Sequence, residues 1–141
     1  MTSMRYRSQA RELALKALCF LDVTRDDKEE MFSLFCSNFK ETSDPAVGPF
    51  FFELVQGVNR CKNEIDTWII NASKNWRLSR MPVVDRNILR LAGFELVRLP
   101  DIPASVSINE AVDLGKKFGS KHTGPFVNGV LDRIRITENI Q

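Results

Sequence analysis

A chain of 141 residues, 43% hydrophobic and 27% charged, has the composition of an ordinary globular protein and enough length to bury a substantial core. Its net charge of +2 is unevenly spread: residues 1–25 carry five Lys+Arg against two Asp+Glu, residues 26–66 four against nine, and residues 67–141 eleven against seven. Basic ends around an acidic middle fit a polyanion-binding face, and they also fit a mixed solvated surface.

The cysteines, Cys19, Cys36 and Cys61, are scattered, and His122 is the one histidine, so no metal site and no metal cofactor are expected. An odd number of cysteines beside apolar runs fits buried thiols in a reducing compartment, hence a cytoplasmic protein. No stretch is long enough to span a membrane, and the apolar run Leu13–Leu21 is interrupted by Lys16. There is no glycine-rich phosphate loop and no nucleophile with a base, which argues against an enzyme and leaves a binding surface.

In chain order, Ala10, Leu13, Ala14, Ala17, Leu18 and Leu21 recur at helical spacing and predict a first helix from about Ser3 to Val23. Arg5, Arg7 and Arg11 crowd its N-terminal turns, with Lys16 further on. Cations there oppose the helix macrodipole, so helix stability does not explain them. Arg7 and Arg11 stand i, i+4 on one face, a spacing suited to gripping phosphates.

Asp26 or Asp27, followed by Glu29 or Glu30, opens a second helix that buries Met31, Leu34, Phe35 and Phe39. Asp44-Pro45 predicts the start of a third, in which Phe50, Phe51 and Phe52 cover too wide an arc for one face. Gly57 fits either a close approach or a break near Arg60. Cys61, Ile65, Trp68, Ile69, Ala72 and Trp76 then form a further stripe, with both tryptophans expected in the core.

Met81-Pro82 restarts the chain as a helix reaching Leu99. Glu95 falls inside its apolar arc of Val84, Ile88, Leu91, Ala92 and Leu96, and a buried carboxyl there needs a partner that the sequence does not name. Val83, Arg86, Phe94 and Val97 mark a second face, so this helix is central or meets a partner protein.

After Pro100 to Pro103, Ser107 and Glu110 have the spacing of a capping box, with Val106 and Ala111 as its hydrophobic staple. Ile108, Ala111, Val112, Gly115 and Phe118 predict the helix that follows, ended by a left-handed Gly119. Thr123 or Gly124 caps the last helix, Pro125 suits its first turn, and Val127, Val130, Leu131 and Ile134 are its buried side. The turn between them is basic, with Lys116, Lys117, Lys121 and His122. Residues 137–141 are expected to fray. The expected fold is all-α: six or seven helices in two packed small helical bundles, residues 1–79 and 80–141, together one globular unit.

INEAVDLGKKFG (108–119) followed by FVNGVLD (126–132), with VDRNILRLAGFEL (84–96) upstream and an arginine-bearing first helix, closely resembles the NusB family of bacterial transcription antitermination factors. The resemblance runs from about Arg5 to Ile134. It implies a non-enzymatic RNA-binding protein of all-helical fold that pairs with the ribosomal protein NusE. It also implies binding of the boxA element of nascent ribosomal RNA transcripts within the RNA polymerase antitermination complex, as a monomer or a homodimer.

On that reading Arg5, Arg7, Arg11 and Lys16 face the RNA together with Lys117, Phe118, Lys121, His122, Phe126 and Asn128 around the last turn, provided the first helix packs beside it. Cations would hold the backbone of a single strand, rings would stack on its bases and an amide would read their edges. Both phenylalanines also fit core packing, and Asn128 a structural hydrogen bond. Val83, Arg86, Phe94 and Val97 would meet the partner. The first helix carries a sparser arginine run than the family's, which implies weaker RNA affinity. Two other readings remain: the RNA-targeting domain of a ribosomal RNA methyltransferase, which needs a cofactor-binding domain after these residues, and a helical interaction module without an RNA role.

Overall fold

The computed structural model describes residues 2–74 and 76–140, with side chains described from Met4 onward. Seven α-helices and two short 3-10 turns make up the regular structure of these residues, with no strand among them: α1 (Thr2–Val23), α2 (Lys28–Asn38), α3 (Gly48–Arg60), α4 (Lys62–Ala72), α5 (Val83–Arg98), α6 (Ala104–Phe118) and α7 (Thr123–Thr137). The chain divides into two compact units, Met1–Gly57 and Val58–Gln141. The division lies inside α3, ahead of the break expected at Ser79–Pro82, because α4 packs on α5 and α7.

In the first unit the predicted stripe of α1, from Ala10 to Leu21, is buried throughout. Asp27 caps α2 by accepting from the amides of Glu29 and Glu30. Lys28 then reaches back to donate to the carbonyls of Leu21 and Thr24 at the C-terminal end of α1. Only Phe35 of α2 is fully buried, and Leu34, expected inside, is exposed. What fills the unit is a run of phenylalanine contacts: Phe35 meets Phe20, Phe39 and Phe51, and Phe32 meets Phe51 and Phe52. Ring pairs of this kind bury large apolar areas, which explains why three consecutive phenylalanines find neighbours on different sides of α3. That helix starts later than Asp44-Pro45 predicts, since those residues form a turn in which Asp44 accepts from Ala46 and Val47 before Gly48 begins the helix.

In the second unit α5 is the centre. Asp85 and every residue from Asn87 to Leu96 are buried, and α4, α6 and α7 pack around them. Arg90 is held by Asp66 of α4 through its Nε at 2.9 Å and its Nη2 at 3.2 Å. A bidentate guanidinium–carboxylate pair is among the stronger polar contacts, and it joins the two helices at a largely buried point. The second apolar face of α5 is therefore turned into the fold. Phe94, expected at a partner surface, is 3% exposed, while Val83, Arg86 and Val97 are half-buried.

Four sequence expectations about helix ends change. Helix α6 begins at Ala104 behind Pro103, whose carbonyl accepts from the amides of Val106 and Ser107; Ser107 is thus inside the helix and is not its cap, and Val106 and Ala111 form no staple. Gly119 is extended, with φ −97° and ψ −166°, and its lack of a side chain matters for space. A Cβ there would lie 2.4 Å from Thr123 Oγ1. Thr123 and Gly124 open α7 as helical residues, with His122 before them and no side-chain cap. At the other end, Asn139 takes φ 57° and the amides of Asn139 and Ile140 donate to Ile136 and Arg135, a Schellman closure where fraying was expected. Gln141 lies outside the described residues.

The three cysteines are half-buried and form no disulfide with one another. Burial pushes the Cys36 thiol above its ordinary range, partly offset by a hydrogen bond with Thr42.

Candidate nucleic-acid interface

The α6–α7 turn is built by Thr123. This residue is fully buried, its Oγ1 donates to Asp85 Oδ1 at 2.9 Å, and the same oxygen accepts from the Ser120 amide at 3.0 Å. Asp85 sits in the first turn of α5, where a carboxylate is favoured by the helix dipole. The pairing pins the turn to the central helix. It also needs room, which Gly119 and Gly115 provide: a Cβ on Gly115 would lie 3.0 Å from Thr123 Cγ2.

With the turn held so, the outer faces of α6 and α7 leave an open groove of about 910 Å³ between them. Asn109, Val112 and Lys116 line it from α6, Lys121 from the turn, and Pro125 and Asn128 from α7. Lys116, Lys121 and Asn128 are exposed. Two cations and two amides around a concave surface supply what a phosphodiester backbone needs: positive charge, and donors that tolerate water.

On the far side of the turn lies a smaller pocket of about 320 Å³, which includes His122 and Phe126. Phe126 is half-buried there, and its ring stands edge-on to Trp76 with centroids 6.0 Å apart. The expected core role of Trp76 is not met, since this residue follows the end of α4 and is 50% exposed.

In the first unit, Arg5, Arg7 and Lys16 are exposed on α1. Arg7 and Arg11 both lie over the ring of Phe50, at 4.8 and 5.3 Å from its centroid. Such contacts hold a guanidinium in place while leaving an exposed one able to meet an anion. Arg7 is exposed; Arg11 is 2% exposed and structural. The i, i+4 pair expected to grip phosphate therefore does not present both guanidiniums to solvent.

The family model described as NusB family matches residues 8–135. This chain belongs to the NusB family. A curated relative, the transcription antitermination protein NusB of Desulforapulum autotrophicum, is 53% identical over 134 residues, covering 95% of this chain and 94% of the relative. The solved structure of T. maritima NusB superimposes with a TM-score of 0.81 at 36% identity, over 91% of this chain and 89% of that one. A chain from the crystal structure of antitermination factors NusB and NusE in complex with dsRNA superimposes with a TM-score of 0.84 at 31% identity, over 95% of this chain and 98% of that one.

In this NusB-family chain the groove brings together Lys121 and Asn128 of the expected site residues, and the neighbouring pocket His122 and Phe126. Lys117 and Phe118 lie on neither surface. The Lys117 ammonium sits 5.5 Å above the Phe118 ring, on another side of α6. Lys16 is 3.8 Å from Glu12, one turn away, which offsets part of its charge. Sequence reasoning left Asn109 out and placed Lys116 in the basic turn without assigning it to the site. A signal for them existed: Asn109, Val112 and Lys116 stand i, i+3, i+7 and share a face, whereas Lys117 is rotated about 100° from Lys116 by the helical repeat.

Proposed function

We propose that this NusB-family protein is a transcription antitermination factor that binds single-stranded, boxA-type RNA together with the ribosomal protein NusE, and that it acts in the cytoplasm with the RNA polymerase antitermination complex rather than as an enzyme. The observation that carries the reading is the α6–α7 groove, in which Lys116 and Lys121 supply charge and Asn109 and Asn128 supply amides. The half-exposed Trp76 and the Phe126 ring beside the groove favour a single strand, because rings reach only bases that are already unstacked. The names of its relatives support the antitermination role, and the NusB–NusE–dsRNA complex among its structural neighbours supports RNA and NusE as partners. Arg5 and Arg7 are the α1 cations proposed to contact RNA, and the half-buried Val83, Arg86 and Val97 of α5 are proposed for the protein partner.

The test is RNA binding by fluorescence anisotropy, with and without NusE, using a boxA-type single strand and a duplex of the same sequence as competitor. Tighter binding of the single strand when NusE is present is expected. Preferential capture of the duplex would replace the single-strand reading with one based on backbone shape, and binding of neither would remove the RNA role.

A further inference from the structure

Gly129 stands in the middle of α7, exposed, and no described residue comes within 4 Å of where its Cβ would be. The other glycines near it serve the packing of α6 on α7: a Cβ on Gly115 or Gly119 would press into Thr123, and one on Gly124 would meet Val112 at 3.7 Å. Gly129 has no such neighbour among the described residues, and no glycine of the chain takes a positive φ, so alanine would fit its place in the helix. A glycine inside a helix is less stable than alanine, because its backbone gives up more freedom and leaves more of itself in water. Bare backbone at this point serves no contact within the fold, and what it leaves open is a close approach from outside.

The residues around Gly129 say what approaches. Pro125, one turn before it, and Asn128, next to it, line the cationic groove, so Gly129 lies on the way out of that groove over α7. One turn after it comes Arg133, exposed and on the same face by its i, i+4 spacing. Arg133 Nη1 donates at 3.2 Å to the carbonyl of Ala72, the last residue of α4, where a helix leaves its carbonyls to other partners. That bond orients the planar guanidinium without burying it, and an oriented fork is the group best suited to a phosphate. Asp132, the adjacent carboxylate, is engaged by Arg135 through Nε at 3.1 Å and Nη2 at 2.8 Å, which offsets its repulsion of an anion.

We propose that Gly129 and Arg133 form a seat for the sugar–phosphate backbone of the RNA strand where it leaves the α6–α7 groove. The missing side chain lets the strand lie against the α7 backbone, and Arg133 takes the phosphate one turn further on. This rests on the RNA-binding reading above. The test titrates a labelled boxA-type single strand, and an oligouridylate of the same length, by anisotropy across a salt series. Alanine and methionine form helices better than glycine, so Gly129→Ala and Gly129→Met should both raise the melting temperature. Both should nonetheless weaken RNA binding, Gly129→Met by roughly ten- to a hundredfold, the scale on which an overfilled contact fails. The loss should be equal for the two strands, because contacts to the backbone read no bases. Arg133→Gln should flatten the slope of log affinity against log salt by about 0.7, one phosphate fewer, and Arg133→Lys should keep it. Stability and affinity moving in opposite directions at Gly129 separates a binding role from a structural one. Wild-type affinity in Gly129→Met, or an unchanged slope in Arg133→Gln, would overturn the seat while leaving the groove reading intact. A loss confined to one of the strands would overturn its assignment to the backbone. Loss of NusE association in Gly129→Met, with RNA binding unchanged, would make this face a protein surface and end the proposal. Binding of neither strand by the unaltered protein would remove both readings.

Discussion

Ser107 Oγ donates to Glu95 Oε1 at 3.0 Å, tying α6 to the central helix at a point where both side chains are 1% exposed. A serine inside a helix ordinarily turns back to its own carbonyls, and here it serves a buried carboxyl on a neighbouring helix instead. Ser107→Ala should cost about 1–3 kcal/mol, the usual penalty for depriving a buried polar group of a partner. Aspartate makes the sharper comparison. An N-cap tolerates it well, whereas next to Glu95 it buries two like charges, so Ser107→Asp should unfold the protein. Urea denaturation of both variants decides; a stable Ser107→Asp would restore the capping role.

Gly119→Ala should destabilise by about 1–3 kcal/mol through overpacking, because the new methyl would fall 2.4 Å from Thr123 Oγ1 and displace its bond to Asp85. Asparagine separates this from a backbone effect. A left-handed helix end accepts Asn readily, but at an extended residue with no room for a Cβ it should be at least as harmful as alanine. Thermal melts of the two variants provide the comparison, and an unperturbed Gly119→Asn would mean that the turn can open to admit a side chain.

Phe94→Ala should cost about 3–5 kcal/mol, as for other large aromatic residues removed from a core, and Phe94→Asp should abolish the cooperative melt. A partner-facing Phe94 would behave differently, losing NusE binding with the circular dichroism and melting curve preserved. Both are measured on the same samples.

The cations should separate by salt dependence. Replacing Arg5 and Arg7, or Lys116 and Lys121, by alanine should flatten the slope of log affinity against log salt by up to about 0.7 for each phosphate that is no longer neutralised. Arg11→Ala should leave the slope alone and lower the melting temperature, since this residue is buried against Phe50. Phe126→Ala should weaken binding by roughly 1–3 kcal/mol without altering the slope. Anisotropy titrations across a salt series measure all of these, and a flattened slope in Arg11→Ala would return that residue to the RNA-binding face.

The helices themselves were legible because each carries an apolar stripe at the helical repeat, as with Ala10 to Leu21 in α1 or Val127 to Ile134 in α7, and local spacing alone sets such a face. The family was legible from motifs in order along the chain. What periodicity does not contain is which residues of a basic or polar run meet which neighbour. Ser107, Gly119 and Thr123 read as ends of helices, since such residues commonly are, and only the packing of α6 and α7 against Glu95 and Asp85 of α5 turned them into cross-helix contacts. Arg7 and Arg11 share a face by spacing, yet Arg11 is buried and Arg7 is exposed; Lys116 enters the groove and Lys117 does not. One residue along a helix is a rotation of about 100°, so neighbouring cations with the same local chemistry reach different surroundings, and which of them faces the groove is decided by how the helices pack.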